Sequence, residues 1–415
     1  MDLSQPVLSL DPHADPAEEA RKLRTHGCPV VPVQLPGEPA VAAWAAVGHA
    51  AAREVFRRHE DLTKDPLSWP AFAEGSIPVS WPLLPVVAGG GFLHEDGEAH
   101  RRHRGLVSAA FKRLSVAELR PEIERIADEL LADLTAAGPG TAVDLRAAFA
   151  APLPIRVICT VLGVPTDIVA GLRSAFEQMV TPPEHPDDIP AAKAEIDRVL
   201  ARLIADKRAH PGPDLTTRLI EAHEEGDRLS EEELVQTLFL LMVAGHETTI
   251  NLLAGAIHRL AERPAVVEAV RAGEVSWDAV VEETLRHDPS VRYALMRYAT
   301  RQLEIGGVTI EKGDPVLVAT YAVGRDPEQH ERPDDFDPSR PTAGTHLAFG
   351  HGVHHCLGSA LARQEAVIAL ERLFERFDVS PAAQPESIPS IPIHGPQSVP
   401  VHLEVRRPAA GTQPA

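Results

Sequence analysis

The segment Phe349-Gly-His-Gly-Val-His-His-Cys356-Leu-Gly-Ser-Ala-Leu-Ala-Arg363 places one cysteine between a glycine-containing loop and the start of a periodic helix. At such a position, unpaired backbone N–H groups and the helix dipole stabilise a thiolate. The glycines allow the backbone to approach a flat ligand closely. Cys356 could therefore bind a metal cofactor, or it could be an ordinary buried core thiol. A zinc site is a third interpretation; its further ligands would be His351, His354 or His355, which lie too close together for the usual paired spacing.

Upstream of this segment, periodicity predicts one unusually long helix. Ser230 and Glu233 form a capping box, and the apolar pattern continues to Glu262, two residues before Pro264. Such a helix would be about 50 Å long and would cross most of the molecule. Its centre, residues 238–244, is apolar on all sides, which predicts burial.

The long helix contains the motif Ala244-Gly-His-Glu-Thr-Thr249. Ala244 and Thr248 share one face because they are four residues apart. A small residue there would let a planar cofactor lie against the helix, and a hydroxyl beside the acid Glu247 could order water and pass protons. Ordinary helix content is the alternative, since threonine often bonds back to the carbonyl four residues earlier. We expect His246 to lie off this face.

Two further charged pairs occupy helical spacings. Glu283 and Arg286 lie three apart, as either a buried brace or a surface ion pair of little energetic value. In Asp96-Gly-Glu-Ala-His-Arg-Arg-His-Arg104, His100 and Arg104 lie four apart and can reach one anionic group. The alternative is a solvated basic face, which we expect for Arg101, Arg102 and His103.

Together these four segments, in their order along the chain, resemble the motifs of the cytochromes P450. Phe-Gly-x-Gly-x-His-x-Cys-x-Gly resembles that family's haem-binding signature. The resemblance implies a mainly α fold with small β-sheets, in a single triangular domain covering residues 1–415. The helix-rich parts would be about 96–290 and 356–377, and the β-rich and irregular parts about 20–70, 297–355 and 380–405. The implied cofactor is haem b, with Cys356 as the iron ligand.

The resemblance also assigns roles to matching residues. Thr248 and Glu247 would be the catalytic proton-relay pair, and Glu283, Arg286 and Arg340 would brace the loop that leads to the cysteine. The other cofactor-binding positions are His100, Arg104, Ala244, Arg297, Phe349, His354 and Gly358. The substrate pocket would include loop 66–93 and Met179, Val180, Val243, Tyr293, Ala294, Leu295, Ile391 and Ile393. Gly324 stands where the family often has asparagine; this difference lies in a loop and puts little of the resemblance in doubt.

The implied reaction inserts one oxygen atom of O₂ into a C–H bond of a lipophilic small molecule, by hydroxylation or epoxidation. Electrons would come from NAD(P)H through a reductase and a ferredoxin, which could dock on basic residues near Lys112, Arg113 and Arg363. The composition resembles that of actinobacterial members that tailor secondary metabolites. A peroxide-driven peroxygenase, an isomerase that works without O₂, and a non-catalytic haem sensor or carrier are the alternatives.

Charge and composition limit the other partners. A net charge of −20 and a pI of about 5.4 argue against nucleic acids and anionic membranes as partners. The first residues lack a signal pattern, and no apolar run reaches the ~18 residues of a membrane span. Three separated cysteines indicate neither disulfides nor a redox pair, so we expect a reducing, cytoplasmic location and a monomer.

Overall fold

A computed structural model describes residues 7–113, 116–135, 142–165, 188–224 and 227–406. Helix outweighs strand in this part of the chain, as the sequence predicts. The helices are Pro16–Thr25, His49–Arg57, Pro70–Ala73, Leu84–Val87, Gly97–Lys112, Arg120–Thr135, Pro152–Leu162, Asp188–Ala209, Leu215–Glu221, Glu231–Ala261, Pro264–Arg271, Trp277–His287, Thr320–Val323 and Ser359–Arg376. Short 3-10 or π-helical turns are Pro66–Ser68, Val116–Leu119, Arg146–Ala150, Ala343–Thr345 and Gly352–His354.

The strands form small sheets at the side of the helices. They are β1 (Leu8–Ser9), β2 (Val30–Leu35), β3 (Val41–Ala46), β4 (Leu62–Thr63), β5 (Ala142–Asp144), β6 (His223–Glu224), β7 (Asp227–Arg228), β8 (Ala294–Ala299), β9 (Leu303–Ile305), β10 (Val308–Ile310), β11 (Pro315–Val318), β12 (Phe377–Pro381) and β13 (Pro400–Val405). The largest sheet has the order β1-β2-β3-β11-β8-β4, in which β11 runs parallel to β3 and antiparallel to β8. The other sheets are β12-β13-β5, β9-β10 and β6-β7. The sequence predicts a hairpin turn at Gly306 and Gly307, and this turn is present between β9 and β10, where both glycines have positive φ.

The long helix, Glu231–Ala261, begins with the predicted capping box. The Ser230 hydroxyl accepts the Glu233 backbone N–H at 3.2 Å, and the Glu233 carboxylate accepts the Ser230 N–H at 2.7 Å. Both bonds satisfy groups that a helix start otherwise leaves open. The helix packs against Pro152–Leu162, Trp277–His287 and Ser359–Arg376, and its Leu, Ile and Ala side chains form the centre of the main core.

The prediction that residues 238–244 are buried throughout is wrong. Leu238 and Met242 are buried, but Val243 is only partly buried and Ala244 is exposed; the continuously buried stretch is 249–257. The helix therefore carries an apolar strip that the described protein does not cover, which is typical of a ligand-facing surface. Of the described segments, this helix alone has the length and hydropathy of a membrane span, but 56% of its most apolar window is buried, as in the core helix of a soluble protein.

For the first 90 residues the sequence predicts short strand-like runs, such as 41–48, and proline-rich loops. The strand Val41–Ala46 is present, but the region also contains helices that the pattern does not predict. Pro16–Thr25 starts with Pro16 in its first turn and with the Asp15 carboxylate accepting the Glu18 N–H at 2.7 Å. His49–Arg57 has a strongly apolar face, which includes the buried Val55. The sequence pattern predicts a strand over 315–322; the strand β11 ends at Val318 and is followed by the helical turn Thr320–Val323.

Other predicted elements fall partly outside the described residues. The sequence predicts a capping box of Ser115 and Glu118 at the start of a helix. Ser115 is not among the described residues, and the helix begins at Arg120, behind a 3-10 turn. Periodicity also predicts helices over 166–180, 187–208, 277–287 and 357–377, of which the first lies outside the described residues. The predicted helix over 187–208 is present as Asp188–Ala209, and the ones over 277–287 and 357–377 are present as Trp277–His287 and Ser359–Arg376.

Candidate active site

Backbone hydrogen bonds fix the loop that carries Cys356. The Cys356 N–H donates to the Phe349 carbonyl at 2.9 Å, and the His355 N–H donates to the Gly352 carbonyl at 3.0 Å. Gly352 has φ +78°, and a Cβ there would lie 3.0 Å from the carbonyl oxygen of Phe56. A residue with a side chain would strain this turn. The loop thus holds an exposed cysteine three residues before the helix Ser359–Arg376.

Some groups around the Cys356 sulfur raise the pKa of its thiol and others lower it. Desolvation by the adjoining protein raises the pKa of the thiol above its usual value, while the Gly358 N–H and the Arg104 and Arg363 guanidiniums lower it. The Gly358 N–H at the helix start thus lowers the thiol pKa, as the sequence predicts, and desolvation acts against it. A bound metal ion deprotonates such a thiol outright, so the site is suited to ligation of a cation by Cys356.

The core-thiol interpretation fits another cysteine. Cys159 is buried in the helix Pro152–Leu162, and burial raises the pKa of its thiol to about 12. Cys356 is exposed and stands among polar groups. Phe349 packs beside the loop, with the Arg363 guanidinium 4.5 Å above its ring. Arg363 is itself ion-paired with Glu282.

The four basic residues predicted to bind an anionic group lie on three different elements. The rings of His100 and His354 are 4.1 Å apart, and His100 Nε2 is buried without a hydrogen-bond partner. Arg104 donates to the carbonyl of His355, next to Cys356. Arg297, on β8, is buried over the ring of Phe56 and has a long 3.5 Å hydrogen bond to the Leu62 carbonyl.

Burial makes this set of cations costly when no anion compensates it. Desolvation, followed by His354 and Arg104, lowers the pKa of His100 to about 4. Desolvation lowers the pKa of Arg297 to about 10, against the attraction of Asp96. Both shifts show basic groups that lack a full counter-charge. The donor set therefore fits a ligand with buried negative charge, such as the two carboxylates of haem.

Asp96 is a partly buried acid to which neither the spacing nor the family resemblance assigns a role. Its carboxylate accepts the Thr63 hydroxyl at 2.6 Å and the backbone N–H of Lys64, and it lies 3.4 Å from His354 Nε2. It joins the start of the helix Gly97–Lys112 to the cysteine loop. No spacing rule connects residues 64, 96 and 354, so only the fold reveals this contact.

On the long helix, Thr248 and Glu247 have separate partners. The Thr248 hydroxyl donates to the Ala244 carbonyl at 2.5 Å, and the Ser290 hydroxyl donates to the Thr248 carbonyl at 2.6 Å. The Glu247 carboxylate accepts Arg146 at 3.0 Å and the Asn251 amide at 3.2 Å. Arg146 and Asn251 were not expected in this site; Arg146 comes from a distant helical turn, so local sequence gives no signal for it.

The Glu283–Arg286 pair is buried, which excludes the surface interpretation. Both side chains are 0% exposed and form two hydrogen bonds of 2.7 Å. Arg286 also donates to the carbonyls of Gly324, Pro333 and Asp335 at 2.6–2.8 Å. Arg340 lies 3.5 Å from the Glu283 carboxylate. This network gives a fixed shape to the irregular chain before the cysteine loop.

Gly324 is part of the same network, since its carbonyl accepts a hydrogen bond from Arg286. The glycine is buried, and a Cβ at this position would lie 2.1 Å from the carbonyl oxygen of Arg286. Any side chain would require the backbone to move. The small residue is needed for the close approach of its chain to the end of the helix Trp277–His287.

The predicted substrate-pocket residues occupy different environments, and their role stays a prediction. Tyr293 is buried, with its hydroxyl donating to the buried carboxylate of Glu19, and Leu295 is buried with its carbonyl accepting Lys64. Val243, Ala294 and Ile393 are partly buried, and Ile391 is buried. Met179 and Val180 lie outside the described residues.

The solvated basic face expected for residues 101–103 is only partly present. Arg101 is exposed, but Arg102 pairs with Glu233 at 2.6 Å. His103 is 1% exposed and shares a 2.9 Å hydrogen bond with the Thr237 hydroxyl on the long helix. His103 thus connects two core helices, and this face is less basic than the sequence suggests.

A known protein family matches this chain. The family model described as Cytochrome P450 matches residues 175–275 and 277–399, more than half of the chain. The chain belongs to the cytochrome P450 family. This membership makes it a haem-iron oxidoreductase of the monooxygenase class, in agreement with the predicted fold and enzyme class. For the zinc interpretation, the described His, Cys, Asp and Glu residues offer no cluster of three or more that could hold a metal ion.

Similar P450s come from actinobacteria. The 2-hydroxy-5-methyl-1-naphthoate 7-hydroxylase of Streptomyces carzinostaticus is 40% identical, over 96% of this chain and 98% of its own length. The monooxygenase PikC of Streptomyces venezuelae is 39% identical, over 91% and 90% of the two chains. Among solved structures, CYP154C4 from Streptomyces, described as testerone-bound, has a TM-score of 0.90 and 37% identity, covering 97% of this chain and 99% of its own.

Proposed function

We propose that this P450 binds haem b and uses O₂ to hydroxylate or epoxidise a lipophilic secondary metabolite in the cytoplasm. Electrons come from NAD(P)H through a ferredoxin reductase and a ferredoxin. The observation that carries the proposal is the combination, in one chain, of the fixed Cys356 loop and the Glu247–Thr248 pair on a helix face that the described protein leaves open. A haem carrier would need the first feature but not the second.

The residues that would hold the cofactor are Cys356, for the iron, and the basic set of His100, Arg104, Arg297 and His354, for the carboxylates. Ala244 has a small side chain where the flat ring would lie against the helix. When bound, haem ligated by a cysteine thiolate activates O₂ and favours O–O cleavage. The protein supplies orientation, polarity and exclusion of water.

The chain's own part in proton delivery centres on the Thr248 hydroxyl. Its hydrogen is donated to the Ala244 carbonyl, which leaves the oxygen lone pairs free to accept a hydrogen bond from water. Glu247, the preceding residue, is 20% exposed in its side chain, and Arg146 and Asn251 hold its position. We infer that Glu247 and Thr248 would pass protons through ordered water to the open side of the helix, where the cofactor would supply the O₂ chemistry.

Thr248→Ala is expected to uncouple NAD(P)H oxidation from product formation, lowering the fraction of reducing equivalents recovered in product by about tenfold or more, the scale of one general acid–base contribution. The measurement compares NAD(P)H consumed, peroxide released and product formed. Thr248→Ser should restore most of the coupling because it keeps the hydroxyl.

Thr249→Ala is the matched control for this test. Thr249 is buried and donates to the Gly245 carbonyl at 2.9 Å, so it makes the same type of bond in the same helix turn without facing the open side. Unchanged coupling in Thr248→Ala would remove Thr248 from the relay. If product formation ran on added peroxide and not on NAD(P)H, in wild type and variant alike, the chain would be a peroxygenase.

We further propose a polycyclic or macrocyclic lipophilic substrate. Loop 66–93 carries exposed apolar side chains, among them Val79 at 91% and Leu67 at 66% exposure. Relatives act, by their names, on a substituted naphthoate and on vitamin D(3), and one similar structure is described as a testosterone complex. For the ferredoxin, the exposed Lys112, Arg113 and Arg101 offer positive charge at the helix Gly97–Lys112 to an acidic partner.

Steroids and macrolides are expected to shift the haem Soret band from the low-spin to the high-spin position, because they displace water from the iron. Testosterone is the first probe, and a polar molecule of similar size, such as a trisaccharide, is the control. If the trisaccharide shifted the Soret band and none of the lipophilic probes did, the proposed substrate class would be contradicted.

A further inference from the structure

Lys64 is a buried lysine beside the cofactor site that neither the sequence motifs nor the family resemblance assigned. It follows β4 directly and is 7% exposed. Its Nζ donates to the Leu295 carbonyl at 2.9 Å, which is its one hydrogen-bond acceptor within the described part of the chain. An ammonium group has three N–H donors, and a neutral carbonyl does not compensate its charge.

The strand pairing places Lys64 close to Arg297. β4 pairs with β8 so that Thr63 lies opposite Tyr298, and the two cations are the chain neighbours of this pair. Arg297 reaches back to the Leu62 carbonyl, on the strand that leads to Lys64. Burial, followed by the charge of Arg297, lowers the pKa of Lys64 to about 7, and Asp96 opposes the shift. Two buried cations from neighbouring strands therefore repel each other here.

The described residues supply one partly buried carboxylate, that of Asp96, to this cluster. Asp96 is already engaged by the Thr63 hydroxyl, the Lys64 backbone N–H and His354. The basic groups of the same cluster are the Lys64 ammonium, the Arg297 guanidinium and the His100 ring, whose Nε2 has no hydrogen-bond partner. Removing such charges from water is costly unless opposite charge is provided. An anion with more than one negative charge would restore the balance.

We propose that Lys64 is a further residue that binds the cofactor carboxylates: with Arg297 it supplies the positive charge that retains haem, beyond the set of His100, Arg104, Arg297 and His354. The inference rests on the proposed haem site and extends it. A purely structural lysine, which only ties β4 to Leu295, is the competing explanation. The two differ in whether the effect of Lys64 depends on the cofactor having free carboxylates.

The test measures how fast purified holoprotein loses its cofactor to an excess of apomyoglobin. Wild type, Lys64→Gln and the control Lys312→Gln are each loaded either with haem or with haem dimethyl ester, whose carboxylates are neutral. Lys312 is an exposed lysine in the turn between β10 and β11. Lys64→Gln keeps a donor for the Leu295 carbonyl but removes the charge. Loss of haem is expected to be about tenfold faster or more in Lys64→Gln, as for truncation of one partner of a buried charge pair. With the ester, all three proteins should release at similar rates.

Equal acceleration with haem and ester, or no acceleration with haem, would overturn the role of Lys64. A wild-type chain that does not retain haem would instead defeat the proposed function, so the two failures are distinguishable. If Lys64→Gln cannot be loaded, Lys64→Arg decides the question. Loading retained with arginine supports a requirement for charge, and loading lost with both variants shows that the site requires only the shape of lysine.

Discussion

Replacing Glu283 with glutamine is expected to lower the free energy of unfolding by about 3–5 kcal/mol, the usual cost of removing one partner from a buried ion pair. Arg286 would then keep its charge at 0% exposure without the carboxylate that forms two hydrogen bonds with it. Because the same guanidinium holds the carbonyls of the chain before the cysteine loop, we also expect most of the purified variant to lack haem. Denaturant unfolding and the ratio of haem to protein measure the two effects.

Glu268→Gln is the matched control. Glu268 also pairs with an arginine three residues later, but its side chain is 67% exposed. The same substitution there should change stability by less than about 1 kcal/mol, because exposed ion pairs contribute little. If both variants lost the same small amount of stability, the buried pair would not be the brace of the cysteine loop.

Cys356→His is expected to abolish the thiolate signature and the reaction while leaving the protein folded. A histidine can still ligate iron but donates less electron density than a thiolate. Product formation should fall by more than about 100-fold, since even partners outside the ligand shell are worth 10–100-fold. Product analysis with a ligand found by the spin shift, and the ferrous-CO spectrum, measure the two outcomes.

Cys28→Ser controls for the loss of a thiol elsewhere. Cys28 is partly buried at the start of the largest sheet and is free, as are all three cysteines. It should leave spectrum and activity unchanged. A Cys356→His protein with a wild-type spectrum, or a Cys28→Ser protein without one, would contradict the assignment of Cys356 as the iron ligand.

Local sequence was sufficient for the elements whose signals are local. The capping box at Ser230, the helix Trp277–His287 and the glycine turn between β9 and β10 all depend on residues within a few positions of each other. The cysteine loop belongs to this group as well, because its glycines and its helix start are adjacent in the chain. The motifs that carry the family resemblance, the cysteine loop among them, are local in the same sense.

Features produced by distant contacts were missed. Lys64 and Asp96 stand in polar segments where charged residues are normally on the surface, and only the pairing of β4 with β8 brings them beside Arg297 and His354. Arg146 reaches Glu247 from about a hundred positions away. The apolar centre of the long helix predicts burial in the protein core, because hydropathy does not distinguish contact with protein from contact with a ligand. His103 is polar, so its sequence predicts an exposed side chain, but it is buried and shares a hydrogen bond with Thr237.

The central claim is that Cys356 ligates haem iron as a thiolate, and the ferrous-CO spectrum of the purified wild-type chain tests it most directly. The protein is reduced with dithionite, exposed to CO, and compared with the reduced form lacking CO. The strongly red-shifted Soret band of a thiolate-ligated complex is the predicted result. A Soret band at the position of histidine-ligated haem proteins, in folded and haem-loaded protein, would contradict it.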